Sequence, residues 1–195
     1  MTIIPTVIAL IILSREIFIP AARREISYHK LASYDVQTGD TIVFGDRAFS
    51  NEWRVLTVEG SKIFIVNQKC IIGTPPITQY YGYPYDIPDY LNHEYYIYFF
   101  SDRERAMICD TDYGKIFLLS AEEARTYFAN NADRIAGSSR YETDSYFLRD
   151  YISVWAGDFR NRMHVNSVGA IVDPEYETGR HGIRPAMWLD MDAAV

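Results

Sequence analysis

The sequence predicts an α+β domain built on an antiparallel sheet with two or three short helices. Three observations lead there. β-rich runs come first, helical signals fill the middle and β-rich runs return, an order that segregates strands from helices. Two of the early runs flank Glu59-Gly60-Ser61, a hairpin signal. Two Ser-x-x-Glu patterns, at 101–104 and 120–123, open helices as capping boxes. With 195 residues, 48% hydrophobic and 23% charged, the chain is one domain in size and too apolar for wholesale disorder.

The elements follow in order. Residues 1–30 stand apart as an apolar segment with a local charge of +2, against −9 for the remainder. Its run at 3–13 is too short for a ~30 Å hydrocarbon core, which needs about 20 residues, and Arg15-Glu16 separates it from the next run. Three readings stay open: a degenerate signal or membrane anchor, a mis-set start, or an apolar element packed on the domain. The first would put an extracytoplasmic or cell-surface location ahead of a cytoplasmic one. Residues 41–44, 52–58 and 62–66 read as strands, and Pro75, Pro76, Pro84 and Pro88 mark a long loop. Pro88 suits the start of a helix whose inward face is Leu91, Tyr95, Tyr98 and Phe99. The first capping box opens a second helix, and the other a third, to about Phe128. Between them 115–119 is a strand. Residues 146–149, 162–165, 170–172 and 183–189 complete the strands.

Several chemistries are excluded by what they require. A net charge of −7 argues against nucleic acid as a partner. Cys70 and Cys109 are 39 residues apart with no CxxC spacing, and read as buried inert thiols, with a disulfide between them left open for an exported chain. His29, His93, His164 and His181 form no HxH or HxxxH pair, so no metal site is readable; His93 is expected at a solvent edge and His164 on a polar strand face. Nucleophile elbow, phosphate loop, dinucleotide fingerprint and EF-loop are all missing, so no catalytic residue and no cofactor is expected. Acids such as Asp110, Asp112, Asp173, Glu175 and Glu177 read as solvated surface. Eight of the 16 tyrosines fall within 80–98; Tyr95 and Tyr98 of the helix are expected in the core, and the loop at 80–85 stays open.

Seven blocks carry a resemblance: GDTIVFG (39–45), EWRVLTVEGSKIFIV (52–66), YLNHEYYIYFFSDRERAMI (90–108), KIFLLSAEEARTYF (115–128), YFLRD (146–150), VNSVGAIV (165–172) and GIRPAMWLDM (182–191). In this order they resemble a bacterial family of domains of unknown function with a terminal glycine-hydrophobe-Arg-Pro-Ala-hydrophobe-Trp motif, over residues 36–192. That family looks related to the C-type-lectin-like fold shared with formylglycine-generating enzymes. The resemblance implies a lectin-like domain displaying a face on its C-terminal strands and loops, with Gly182, Arg184, Pro185 and Trp188 as a structural turn, buried cation and core ring. It supplies no activity. No cysteine follows Cys109, and Trp188-Leu-Asp190 is no calcium-lectin motif.

The expected function is non-enzymatic recognition of a glycan or protein ligand. The expected face is WAGDFRNRMHVN at 155–166, with Trp155, Asp158, Arg160, Asn161, Arg162 and His164 as ligand-binding candidates, because tryptophan and arginine dominate hot spots. An assembly module of a surface or phage-related protein is the first rival. An enzyme with a site assembled only in three dimensions is the second.

Overall fold

A computed structural model describes residues 25–33, 35–46, 51–71, 87–138, 145–152, 161–173 and 181–194. The apolar run at 3–13, the prolines at 75, 76 and 84, the loop tyrosines and Trp155, Asp158, Arg160, Glu175 and Glu177 lie outside them. Helices and antiparallel sheet are both present, and the domain is α+β.

The strands are β1 (Glu25–Ser27), β2 (Thr41–Val43), β3 (Glu52–Glu59), β4 (Lys62–Asn67), β5 (Lys69–Cys70), β6 (Phe117–Leu118), β7 (Gly137–Ser138), β8 (Tyr146–Ile152), β9 (Asn161–Val165), β10 (Ile171–Val172) and β11 (Pro185–Asp190). Six form one sheet in the order β1-β2-β3-β4-β11-β6; β10-β9-β8 and β5-β7 form two smaller ones. The antiparallel expectation holds for most pairings, but β1–β2 and β5–β7 run parallel. No local turn signal announces such short parallel pairs, because their partners are distant in the chain.

The main sheet is covered on both faces. On β4, Ile63 and Ile65 enter one core cluster while Phe64 and Val66 enter the other, the alternation of a pleated strand. β11 does likewise, sending Met187 and Leu189 to the first cluster and Ala186 and Trp188 to the second. A bulge between Val55 and Thr57 re-aims β3: Trp53 and Val55 face the first cluster before it and Val58 after it, while Leu56 faces the second. Burial of each such side chain contributes roughly 1.5–3 kcal/mol. That is why the apolar runs at 63–66 and 186–189 are nearly continuous rather than alternating with polar residues.

The first face is covered by a helix in three parts: α1 (Ile87–Tyr90), a π-helical stretch (Leu91–Tyr95) and α2 (Tyr96–Phe99). Ile87, Leu91 and Tyr95 are buried, but Tyr98 is 76% exposed beside exposed Ile97. The expected inward position of Tyr98 is therefore corrected. A π-turn takes more residues than an α-turn, so across this stretch the inward positions fall four apart, at Ile87, Leu91, Tyr95 and Phe99; Phe99 keeps its expected place on the core and Tyr98 turns outward. Burial pushes the Tyr95 phenol well above its ordinary range.

Both capping boxes form with their reciprocal bonds, opening α3 (Asp102–Met107) at Ser101 and α4 (Ala121–Tyr127) at Ser120. Glu104 is buried and its other oxygen accepts from the Gly45 amide at 2.9 Å, fastening α3 to the end of β2. A further short helix, α5 (Asn131–Arg134), is N-capped by Asn130. No helix among the described residues is long and apolar enough to cross a membrane.

Arg184 is the polar centre of the domain. It is 4% exposed, and its Nε donates to the Asn67 carbonyl at 2.8 Å. Its Nη1 donates to the Arg134 carbonyl at 2.9 Å and to the Tyr146 hydroxyl at 3.1 Å. Tyr146 in turn donates to the Arg134 carbonyl. Burial raises the phenol above its ordinary value and the guanidinium pulls it back, so Tyr146 serves as a neutral donor. Gly182 packs against Cys70: a Cβ there would come within 2.6 Å of the Cys70 Cβ. Pro185 is buried at the start of β11, and Trp188 is half-buried, stacked on Phe64 with ring centroids 4.9 Å apart.

Candidate ligand-binding cleft

Between the helix, the end of the main sheet and the β8–β9 ribbon lies a cleft of about 200 Å³. Ile87, Pro88 and Leu91 form one wall, Tyr113 and Ile116 a second, and Phe117 and Leu118 a third. Arg149 of β8 and Arg162 of β9 supply its charged groups. Pro88 suits the first turn of a helix, where its missing N–H costs nothing.

Asn92 joins two of these walls. Its Nδ2 donates to the Pro88 and Ile116 carbonyls, at 2.8 and 3.0 Å, and its Oδ1 accepts from the Lys115 and Ile116 amides, at 2.8 and 3.1 Å. Gly114 makes room: a Cβ there would lie 2.8 Å from the Asn92 side chain. Asn92→Ala is expected to cost about 1–3 kcal/mol, since it takes the part-buried Lys115 and Ile116 amides and the Ile116 carbonyl away from their side-chain partner. Asn92→Asp keeps the acceptor and should recover part of that loss in urea denaturation. Equal stability of Asn92→Ala and the parent would overturn this role.

Arg149 is held from several sides. Nη1 and Nη2 chelate Glu123 at 2.8 and 3.0 Å, and Nη1 also donates to the Leu118 carbonyl at 3.0 Å. The guanidinium lies 3.8 Å from the Tyr113 ring centroid, a cation–π stack. Glu123 is itself fixed by the α4 capping box, where its carboxylate accepts from the Ser120 amide. Cleft geometry therefore traces back to the local sequence Ser-Ala-Glu-Glu at 120–123.

Arg162 faces Tyr151 across the β8–β9 ladder, and a register shift separates that pair from Phe147 opposite His164. A second polar cluster lies there. His164 and His181 have ring centroids 4.3 Å apart, Phe147 meets His181 edge-on, and His181 Nδ1 is 3.1 Å from the Ser145 hydroxyl. His164 is 3% exposed, which corrects its expected place on a polar surface strand. The alternation rule failed because both faces of β9 are covered: Val165 and Met163 pack on the second core cluster, while Phe147 and His181 cover His164.

Of the residues singled out from the sequence, Arg162 lines the cleft and His164 sits in the neighbouring buried cluster. Asn161 is the first residue of β9. Trp155, Asp158 and Arg160 lie outside the described residues. Sequence reasoning missed Arg149 and Tyr113; an arginine inside the apolar strand YFLRD was the available signal. His93 is exposed and bonded to Asp89 one turn back. Cys70 is buried as expected, whereas Cys109 is only half-buried; the two form no disulfide, and burial pushes the Cys109 thiol above its ordinary value. Among the described residues no group of three or more His, Cys, Asp or Glu could hold a metal ion.

The model of a family described as Domain of unknown function (DUF6273) matches residues 111–191. That stretch contains Arg149, Arg162 and the Tyr113–Leu118 wall of the cleft, together with the Arg184 centre, but not the helical wall. No curated protein and no solved structure matches the chain.

Proposed function

We propose that this chain is a recognition domain of C-type-lectin-like type that binds a glycan or protein ligand against its C-terminal strands, at the cleft beside β8 and β9. The ordered sequence blocks and the terminal Gly-Ile-Arg-Pro-Ala-Met-Trp motif at 182–188 support the fold assignment. One observation carries the site: two arginines from adjacent strands converge on a concave apolar surface whose aromatic wall already stacks one of them. Concave apolar surface with a few fixed polar groups is the usual form of a ligand site. Arginine and tyrosine supply most of the energy at such surfaces.

Glycan and peptide arrays probed with the full chain, with calcium and with chelator, test this. Binding is expected to survive chelation and to fall at least about tenfold in Arg162→Ala, the scale of one lost charge-assisted contact. Pro88→Trp, at an exposed cleft position, should block binding without touching the core. Array binding that both variants leave unchanged would move the site elsewhere, first to the helix face carrying exposed Ile97 and Tyr98.

A further inference from the structure

We propose that the open face of Tyr113, at the rim of the cleft, is a stacking platform for a pyranose ring of a neutral glycan. This rests on the recognition reading above and narrows the class of its ligand.

One face of the ring is already taken. The Arg149 guanidinium lies over it, 3.8 Å from the ring centroid. Phe117 lies 5.9 Å from that centroid, tilted by 53°, and its own centroid is 5.7 Å from the guanidinium. These separations put Phe117 near the edge of the Tyr113 ring, on the Arg149 side. No other ring or cation meets Tyr113 among the described residues, and the residue is 54% exposed, so its open surface belongs to the opposite face.

The turn that carries the ring is fixed in advance. Thr111 Oγ1 donates to the Gly114 carbonyl at 2.6 Å and accepts from the Tyr113 amide at 3.2 Å. Gly114, at φ +96°, donates its amide to the Thr111 carbonyl at 3.0 Å. A ring held on both counts, by its turn and by the guanidinium behind it, loses little freedom on binding.

The surroundings select the partner. An aromatic face takes a flat apolar partner, and the cation behind this one opposes a second cation in front. Exposed carboxylates flank the ring: the Asp110 side chain is 82% exposed and pairs with Lys115 at 3.0 Å, while Asp112 is exposed with no hydrogen-bond or ion-pair partner among the described residues. Covering Asp112 with a protein surface would strip its hydration, whereas sugar hydroxyls replace that water with charge-assisted hydrogen bonds. An acidic sugar would meet like charge at the same carboxylate. A neutral pyranose carries both complementary parts, a C–H face for the ring and hydroxyls for the carboxylate.

The test titrates the isotope-labelled full chain with cellotetraose, xylotetraose, mannotetraose and maltotetraose, and with tetragalacturonate as the anionic counterpart. Backbone amide shifts at Thr111, Asp112, Tyr113 and Gly114, with the Tyr113 ring protons, are the readout. Saturable shifts with at least one neutral chain are expected, and weaker binding of tetragalacturonate. Tyr113→Ala should weaken the neutral chain at least about tenfold, while Tyr113→Trp, which keeps a flat face, should retain it. Tyr113→Leu should bind no better than Tyr113→Ala, since apolar bulk without a flat face is not enough. Neutral chains that shift none of these residues, or that bind Tyr113→Ala as tightly as the parent, overturn the platform. Tetragalacturonate bound as tightly as the best neutral chain overturns its selectivity. If Pro88→Trp still abolishes array binding to peptides in either case, the recognition cleft stands without the platform. Array binding that persists in Pro88→Trp removes the recognition cleft itself.

Discussion

Arg184→Ala is expected to destabilise the domain by about 3–5 kcal/mol, a large fraction of the 5–15 kcal/mol that holds a typical domain folded. The guanidinium is 4% exposed and serves the Asn67 and Arg134 carbonyls and the Tyr146 hydroxyl. Alanine leaves these acceptors buried without that donor and removes the cation from between the Phe128 and Tyr146 rings, which it meets at 5.0 and 5.1 Å. Arg184→Lys should recover only part of the loss, because an ammonium cannot reproduce the planar fork that spans these acceptors. Urea denaturation followed by tryptophan fluorescence measures both. A loss below about 1 kcal/mol would contradict a central role for Arg184, being no more than an ordinary exposed substitution costs.

Gly169→Ala should cost a similar amount by a different route. Gly169 closes the turn between β9 and β10 at φ +77°, with its amide donating to the Asn166 carbonyl at 2.8 Å. A Cβ there would lie 1.8 Å from the backbone oxygen of Asn131, so the turn or α5 must move. Left-handed strain of about 1–3 kcal/mol and overpacking of about 1–3 kcal/mol act together. Gly60 is the control: its φ is +61°, but nothing lies within 4 Å of an added Cβ, so Gly60→Ala should cost only about 1 kcal/mol. Equal stability losses at Gly60 and Gly169 would show that backbone conformation, not the contact with Asn131, sets the cost. The turn also reaches the cleft. Arg134 Nε donates to the Gly169 carbonyl at 2.9 Å, docking the β9–β10 hairpin that carries Arg162. Gly169→Ala should therefore weaken ligand binding as well as folding.

What could be read from the sequence divides by range. Both capping boxes and the 59–61 turn were legible because their signals lie within four residues of one another and depend little on tertiary packing. The widened turn at Leu91–Tyr95 was not legible, and it displaced Tyr98 from the core. α5 falls between the helix ending near Phe128 and the strand beginning at Tyr146, where the sequence suggests no element, because four residues give no periodicity to detect. Arg162 was singled out for its residue type, whereas Arg149, its neighbour in the cleft, was passed over within an apolar strand. Their convergence depends on a register shift in the β8–β9 ladder, which no spacing in either strand records. His164 shows the same limit: alternation assumes one wet face, and β9 has none at that position.

The position of β11 has a consequence for how the chain reaches this state. β11 pairs with β4 on one side and β6 on the other, yet it follows every other described strand in sequence. Arg184, at its entrance, closes a contact with Asn67 across 117 residues. Such long-range closure is entropically expensive and slows folding, because the loop must form before its contacts stabilise it. Until β11 arrives, the flank of β4 bearing Ile63, Phe64, Ile65 and Val66 has an open edge, the kind of surface that recruits other chains. During synthesis, the hazardous interval for this protein runs from the emergence of β4 to the emergence of β11, and slower translation between them lengthens it.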